Sequence, residues 1–191
     1  MLLRLLARRG ISDLGGTRLL EVGCGNGGNL LEFLRMGCAA ENLTGLELLP
    51  ERAARARRSL PLGLRVLVGD ALQADVEPES QDIVFQAVVF SSLLHDAFQR
   101  RLAEAMWRWT RPGGALLWYD FAYDNPSNRD VRGVPLRRVR ELVPQGRFEV
   151  HRVTLAPPIA RRVCRVHPSL YTVFNALPFL RTHLLCWIEK P

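Results

Sequence analysis

A chain of 191 residues, 48% hydrophobic, is long enough for one domain that buries roughly 70% of the surface its unfolded form exposes, and no segment reaches the 18 uncharged apolar residues of a membrane span. Four cysteines, Cys24, Cys38, Cys164 and Cys186, form no C-x-x-C pair and have no clustered histidine partner. This argues against a zinc site or disulfide scaffold and for a reduced, cytoplasmic setting with no metal. The net charge of +7 is uneven: residues 131–191 hold eleven basic and three acidic side chains, so a ligand of the last third is more readily anionic than cationic.

In chain order, arginines interrupt "MLLRLLARRG" too closely for a signal-peptide core, and "RLLEVG" (18–23) reads as a short buried strand. A glycine loop and the helix "GNLLEFLRMG" follow, with Gly37 as its stop. "NLTGLEL" (42–48) is a second strand, and Pro50 and Glu51 open the helix "PERAARARRSL". "LRVLVGD" (64–70) is a third strand. "DIVFQAVVF" (82–90), the most apolar run, fits a central strand covered on both faces. A helix over 96–110 carries Phe98, Leu102, Ala105, Met106 and Trp109 at helical spacing; "RPGG" closes it with a turn, and "ALLWYDF" (115–121) is the fifth strand. The alternation then ends. A polar loop "AYDNPSNRDVRG", an Arg-rich helix near 135–144, the strand "RFEVHRVTL", an insertion at 157–181 and the strand "LLCWIEK" complete one domain over 1–191. Five alternating βα units predict an α/β, doubly wound, Rossmann-like parallel sheet.

In such a sheet the ligand lies beyond the carboxyl ends of the strands. Gly23, Gly25 and Gly28 fit G-x-G-x-x-G, while Glu21, Gly23, Gly25 and Gly27 fit acid-x-G-x-G-x-G; alone, the loop suits NAD, FAD or S-adenosylmethionine. Glu47, 22 residues after Gly25 and followed by Leu48, is placed to accept from ribose hydroxyls, a feature shared by both ligand types. Glu21 separates them. It stands inside the first strand, where a dinucleotide fold takes an apolar residue, and a carboxylate there suits a ligand with an ammonium and a sulfonium. Asp70, ending the third strand, is placed to accept from an adenine amino group, with the Ala71 and Leu72 backbones against the ring.

"EVGCGNG", "GLEL", "GDAL", "DIVFQAVVF" and "RPGGALLW", in this order over residues 18–121, resemble the class I S-adenosylmethionine-dependent methyltransferases. The resemblance implies S-adenosyl-L-methionine as cofactor and S-adenosyl-L-homocysteine as product. Gly23, Gly25 and Gly27 would lie at the methionine part, Glu47 at the ribose, Asp70 at the adenine, and Gln86 with Ala87 on the inner wall. It further implies a seven-stranded sheet whose last two strands form an antiparallel addition. A Gln in a buried strand is equally well satisfied by neighbouring backbone, and both readings of Gln86 stand.

Methyl transfer is an in-line displacement, so alignment dominates, and a base is needed only when the acceptor must lose a proton. The N/D-P-P-aromatic motif of adenine-N6 and glutamine methyltransferases is absent after the fourth strand. Asp120, His95 and His167 are the candidate acid/base groups. Tyr119, Asp124, Asn125 and Asn128 form the expected substrate rim, with Arg161 and Arg162 as anion ligands and Arg165, Arg132, Arg137 and Arg138 in support. The loop after the fifth strand bears a looser likeness to bacterial polysaccharide and sugar-modification methyltransferases, which implies O-methylation of a sugar or other anionic small molecule. An RNA methyltransferase, a cofactor-binding but non-catalytic partner subunit and a nicotinamide oxidoreductase are the competing readings. The basic last third motivates the first of these, but no stacking-type aromatic-basic interleaving supports it. About 17 residues precede the first strand, so the lid is the 157–181 insertion, a partner such as a second copy, or a segment upstream.

Overall fold

The computed structural model describes residues 2–11, 13–125 and 128–191. Its strands are β1 (Leu19–Val22), β2 (Leu43–Glu47), β3 (Arg65–Val68), β4 (Gln81–Ala87), β5 (Thr110–Phe121), β6 (Arg147–Leu155) and β7 (Arg181–Glu189). They form one sheet in the order β3-β2-β1-β4-β5-β7-β6. The first five are parallel, and β7 is antiparallel to both β5 and β6, so the expected sheet and its C-terminal addition are both present. After β3 the chain crosses back to lay β4 beside β1. Strand order therefore reverses between β1 and β4, and their carboxyl ends flank the crevice where such sheets take ligands.

Side chains alternate across the sheet, which gives a core on each face. Leu19, Ile83, Phe85, Leu117 and Trp187 face the layer of α1 (Leu2–Arg8), α2 (Gly28–Arg35) and α3 (Pro50–Ser59), where Leu6, Leu30, Phe33 and Ala53 are buried. Leu20, Val22, Val84, Leu116 and Trp118 face α4 (Asp96–Trp109) and α5 (Leu136–Leu142) through Leu102, Met106, Trp109 and Val139. Between β6 and β7 the 157–181 insertion folds as α6 (Pro157–Val166), α7 (Ser169–Asn175) and a short turn at Pro178–Leu180.

Four local features differ from the sequence reading. β3 spans only Arg65–Val68, because Gly69 turns to φ +128° beyond it. β4 ends at Ala87 rather than residue 90, because Val88 takes φ +59°; its N–H still donates to the Tyr119 carbonyl at 2.8 Å, the last bond of the β4–β5 ladder. "RPGG" is a bulge inside β5 rather than a turn before it: pairing jumps from Gln81–Thr110 to Ile83–Ala115, and Gly113 N–H donates to Lys190 O. Residues 2–8 form a helix too short to show periodicity. It is fixed by buried Leu5 and Leu6, and just beyond its end Arg9 pairs with Glu149 at 2.6 Å and Glu189 at 2.8 Å. Those two acids lie at the sheet end opposite the crevice, since Glu189 is in register with Ala115 near the start of β5.

Candidate active site

The turn from β1 to α2 is built on glycine backbone. Gly23 has φ +72°, and a Cβ there would stand 2.5 Å from Val89 Cγ2, so no other residue fits without displacing the segment after β4. Gly23 and Cys24 donate their N–H groups to Leu46 O at 2.8 and 2.9 Å, which pins the turn to the end of β2. Gly25, at φ +57°, donates to Glu47 Oε2 at 2.8 Å, and a Cβ on it would meet open space. Gly27 is the N-cap of α2, so the turn delivers backbone N–H groups at a helix start.

Three carboxylates surround that turn. Glu21 is fully buried; Asn29 Nδ2 donates to its Oε1 at 2.6 Å, while Oε2 has no hydrogen-bond partner among the described residues. Burial, opposed by the Asn29 bond and reinforced by the nearby Glu47 charge, pushes the Glu21 carboxyl up to about 7. An orphaned, buried carboxylate oxygen is costly on its own and fits a cationic group from a ligand. Glu47 accepts from Leu49 N at 2.9 Å as well as from Gly25, and Leu48 beside it is 63% exposed. Asp70 caps the turn at Ala71–Gln73, its Oδ1 accepting from Leu72 N at 2.9 Å, and it lines a hollow of about 640 Å³ with Leu46, Val68 and Gly69. Both acids keep lone pairs beyond these bonds, so hydroxyl and amino donors have acceptors at each.

Gln86 is buried with its amide committed to backbone: Oε1 accepts from Val89 N at 3.1 Å, and Nε2 donates to Tyr119 O at 3.3 Å. It shapes the inner wall by holding the Ala87–Val89 segment. Val88, a β-branched residue at positive φ, is a strained position at the switch point that periodicity had no means to reveal.

On the β5 side Tyr119 gathers several contacts. Its hydroxyl shares a 2.8 Å hydrogen bond with Thr154 Oγ1, and its ring stacks on His183 with centroids 5.1 Å apart. Thr154 is itself at φ +61°, although the β6–β7 register runs unbroken on either side of it. Next to this stack lies a mainly apolar cavity of about 450 Å³, with Phe121, Val131, Pro157, Pro158 and His183 in its walls. Asp124, Asn125, Asn128 and Arg161 also line it, so the structure brings three of the expected rim residues and one of the expected anion ligands to one place. Two of them also shape the loop: Asp124 Oδ1 accepts from Gly133 N at 2.8 Å and Asn128 Oδ1 from Asp130 N at 3.0 Å. His183 was missed by sequence reading. It is in register with Phe121 across an antiparallel pair 62 positions away, and only the order β5-β7 places it there.

The remaining candidates lie elsewhere. Asp120 faces the α4 layer, fully buried, with Oδ2 accepting from Ser91 N at 3.1 Å and Oδ1 from Phe121 N at 3.0 Å; burial pushes its carboxyl up to about 6. It holds the Phe90–Ser92 turn and is not open to an acceptor. His95 is exposed at the N-cap position of α4 with no side-chain cap bond, and His167 is exposed after α6 with Nδ1 2.6 Å from Ser169 Oγ; neither lines the cavity. Arg162 is exposed outside it. Arg132, Arg137 and Arg138 do not line this cavity and are paired within the protein: Arg132 with Asp96, Arg137 with Glu141, and Arg138 with Asp96, Glu141 and Gln99.

A reversed-order sheet with a glycine turn and an acid at the end of each of the first three strands defines a Rossmann-like domain of the class that binds S-adenosylmethionine. Residues 19–114, half of the chain, match the methyltransferase domain family, and the chain belongs to it as a class I S-adenosylmethionine-dependent methyltransferase domain. It is similar to the phthiotriol/phenolphthiotriol dimycocerosates methyltransferase 1 of Mycobacterium ulcerans, at 38% identity over 139 residues covering 68% of this chain and 48% of that protein. It is 34% identical over 134 residues to the fatty-acid O-methyltransferase of Mycolicibacterium smegmatis, covering 68% of this chain and 47% of that one. The chain thus spans about half the length of these relatives. An S-adenosylmethionine-dependent methyltransferase of Mesorhizobium loti shares the fold with a TM-score of 0.68 and 17% identity, over 98% of this chain and 96% of that one.

Proposed function

We propose that this chain transfers a methyl group from S-adenosylmethionine to an oxygen of a small acceptor whose body is apolar. The carrying observation is the cavity beside the Tyr119–His183 stack, where proline and phenylalanine walls meet one cation, Arg161. The sulfonium supplies an already activated methyl group. Glu21, with its orphaned Oε2, and Glu47 would hold the donor's cationic end and ribose; Asp70 would take the adenine amine, and Tyr119 and His183 would orient the acceptor. In the transfer an O–C bond forms as the S–C bond breaks, leaving a neutral thioether. A carboxylate acceptor needs no base, whereas a hydroxyl must lose its proton. Burial holds His183 below the ordinary histidine range, so its ring is neutral near pH 7, and in the tautomer whose Nδ1–H donates to Thr182 Oγ1 the unprotonated Nε2 is the group that would receive that proton.

An acceptor with an apolar body and an oxygen or anionic end near Arg161 suits these walls better than a free sugar, whose hydroxyls would face carbon. The names of the two relatives, which concern lipids, favour the same choice. No helix among the described residues is long and apolar enough to cross a membrane. The test is S-adenosylhomocysteine release with decanoic acid, decanol, methyl glucoside and glucose 6-phosphate. Turnover on the decyl compounds is expected. Turnover confined to the sugar compounds would return the acceptor to the sugar class, and product binding without turnover on any acceptor would favour a non-catalytic partner.

A further inference from the structure

From Ala156 to His183 no residue is buried, although this stretch contains two helices and the turn that follows them. On α6, Ile159, Val163 and Val166 recur on one side at helical spacing, while Arg161, Arg162 and Arg165 share the other. Val166, Val173, Leu177 and Phe179 are left large, apolar and open, at 79%, 61%, 42% and 74% exposure. Exposed apolar groups gathered this densely on one short segment mark an interaction surface.

The charge of the segment narrows the partner. Between Glu149 and Glu189 the sequence has no acidic residue, and among the described residues Arg161, Arg162 and Arg165 make no ion pair with an acid. A second copy of this chain would bring the same positive segment against itself, or need an acidic face to meet it. An anionic lipid surface satisfies both halves of the pattern, its headgroups pairing with guanidinium groups and its acyl boundary taking the valines and phenylalanine. The N-terminal turn of α6 also supplies Pro157, Pro158 and Arg161 to the walls of the acceptor cavity. The same element therefore touches both the surface and the cavity.

We propose that the 157–180 insertion docks this domain on an anionic lipid surface, with α6 and the Val173–Phe179 segment as the contact. The inference is independent of methyl transfer, because docking is read with no methyl donor present. Flotation with vesicles of about one-third phosphatidylglycerol in phosphatidylcholine should recover the protein at low salt. Pure phosphatidylcholine should recover far less, and raising the salt should release the bound protein. Arg162→Gln with Arg165→Gln should weaken vesicle binding about 25-fold, at roughly fivefold per cation near the surface. Phe179→Ser should weaken it about tenfold or more through lost apolar burial. These side chains are exposed, so thermal unfolding and S-adenosylhomocysteine affinity serve as folding controls for both variants. Absence of flotation would overturn the proposal, as would vesicle binding unchanged in both variants. Size-exclusion chromatography showing a dimer that Phe179→Ser dissociates, with no vesicle binding, would assign the surface to a second copy instead. Salt-sensitive binding to an RNA oligonucleotide without vesicle binding would assign it to nucleic acid.

Discussion

Glu21 offers the sharpest test of the cofactor site, because its chemistry differs between the free and the ligand-bound protein. Its carboxyl is fully buried, with one oxygen bonded to Asn29 and one unpartnered, and burial holds it at about 7. A cationic ligand prefers the ionised form, so binding at low pH must first expel a proton. For a group titrating near 7, the fraction ionised is about one in eleven at pH 6 and about three in four at pH 7.5. Affinity for S-adenosylhomocysteine should therefore rise several-fold between those values, or about 1 kcal/mol. Titration calorimetry at four pH values, in buffers of different ionisation heat, reads both the affinity and the proton released. Glu21→Gln keeps an oxygen for Asn29 and removes the titration, so its affinity should be lower at pH 7.5 and flat over the range. The same shift acts on the unliganded protein. An acid raised from 4.5 to about 7 on folding is protonated in the native state where the unfolded chain has already lost its proton, so its contribution to stability declines as pH rises through that window. The Gln variant should lack that slope, by roughly 3 kcal/mol over the full window. A wild-type affinity that stays level from pH 6 to 7.5, or a variant with the same slope as wild type, would refute the role given to Glu21.

Other substitutions separate support from chemistry. Gly23→Ala should lower stability by about 2 kcal/mol in chemical denaturation, since it combines a positive φ with a Cβ 2.5 Å from Val89. Asp120→Ala leaves Ser91 N and Phe121 N unpaired in a buried place and should cost about 1–3 kcal/mol by the same measurement. Asp120→Asn keeps an acceptor, and full turnover in that variant is the expected outcome; a large fall in kcat with unchanged stability would make Asp120 catalytic after all. His183→Phe retains the ring beside Tyr119 and removes the proton acceptor. Turnover of a hydroxyl acceptor should fall by about 10² or more while that of a carboxylate acceptor is largely kept, and equal losses on both would reject His183 as base.

The two halves of the site were legible to different degrees because they are made of different things. The cofactor half is a demand on backbone. A turn that crosses from β1 to α2 within reach of Val89 and Leu46 requires glycine at Gly23, and the acids Glu21, Glu47 and Asp70 each stand on or just beyond a strand whose period is visible in the chain. Such features are local, so spacing alone recovers them, and the parallel order follows from the alternation of apolar runs with helices. Where local patterning erred, tertiary contacts had overridden it. Val88 would continue an apolar strand, but it turns to φ +59° after its N–H makes the last bond to β5, and the Arg-Pro-Gly-Gly segment is absorbed into β5 through the pairing of Gly113 with Lys190.

The acceptor half is assembled from β5, β6, β7, the loop after β5 and the start of α6, so no window of the sequence contains it. Asp124, Asn125, Asn128 and Arg161 come together at one cavity because they follow strand ends, where any ligand of this sheet must come. His183 and Thr154 carry no comparable mark: one is a histidine at the start of an edge-side strand, the other a threonine in an amphipathic one. What joins them is Tyr119, whose carbonyl accepts from Val88 and Gln86, whose hydroxyl meets Thr154, and whose ring lies on His183. Both β-branched residues held at positive φ, Val88 and Thr154, bond directly to this one tyrosine. Local strain of this kind survives only where surrounding contacts impose it, at about 1–3 kcal/mol per residue. Two such positions, one bonded to the Tyr119 main chain and one to its hydroxyl, fix this residue between the proposed donor crevice and the proposed acceptor cavity. Rigid alignment of donor and acceptor is what an in-line displacement most needs.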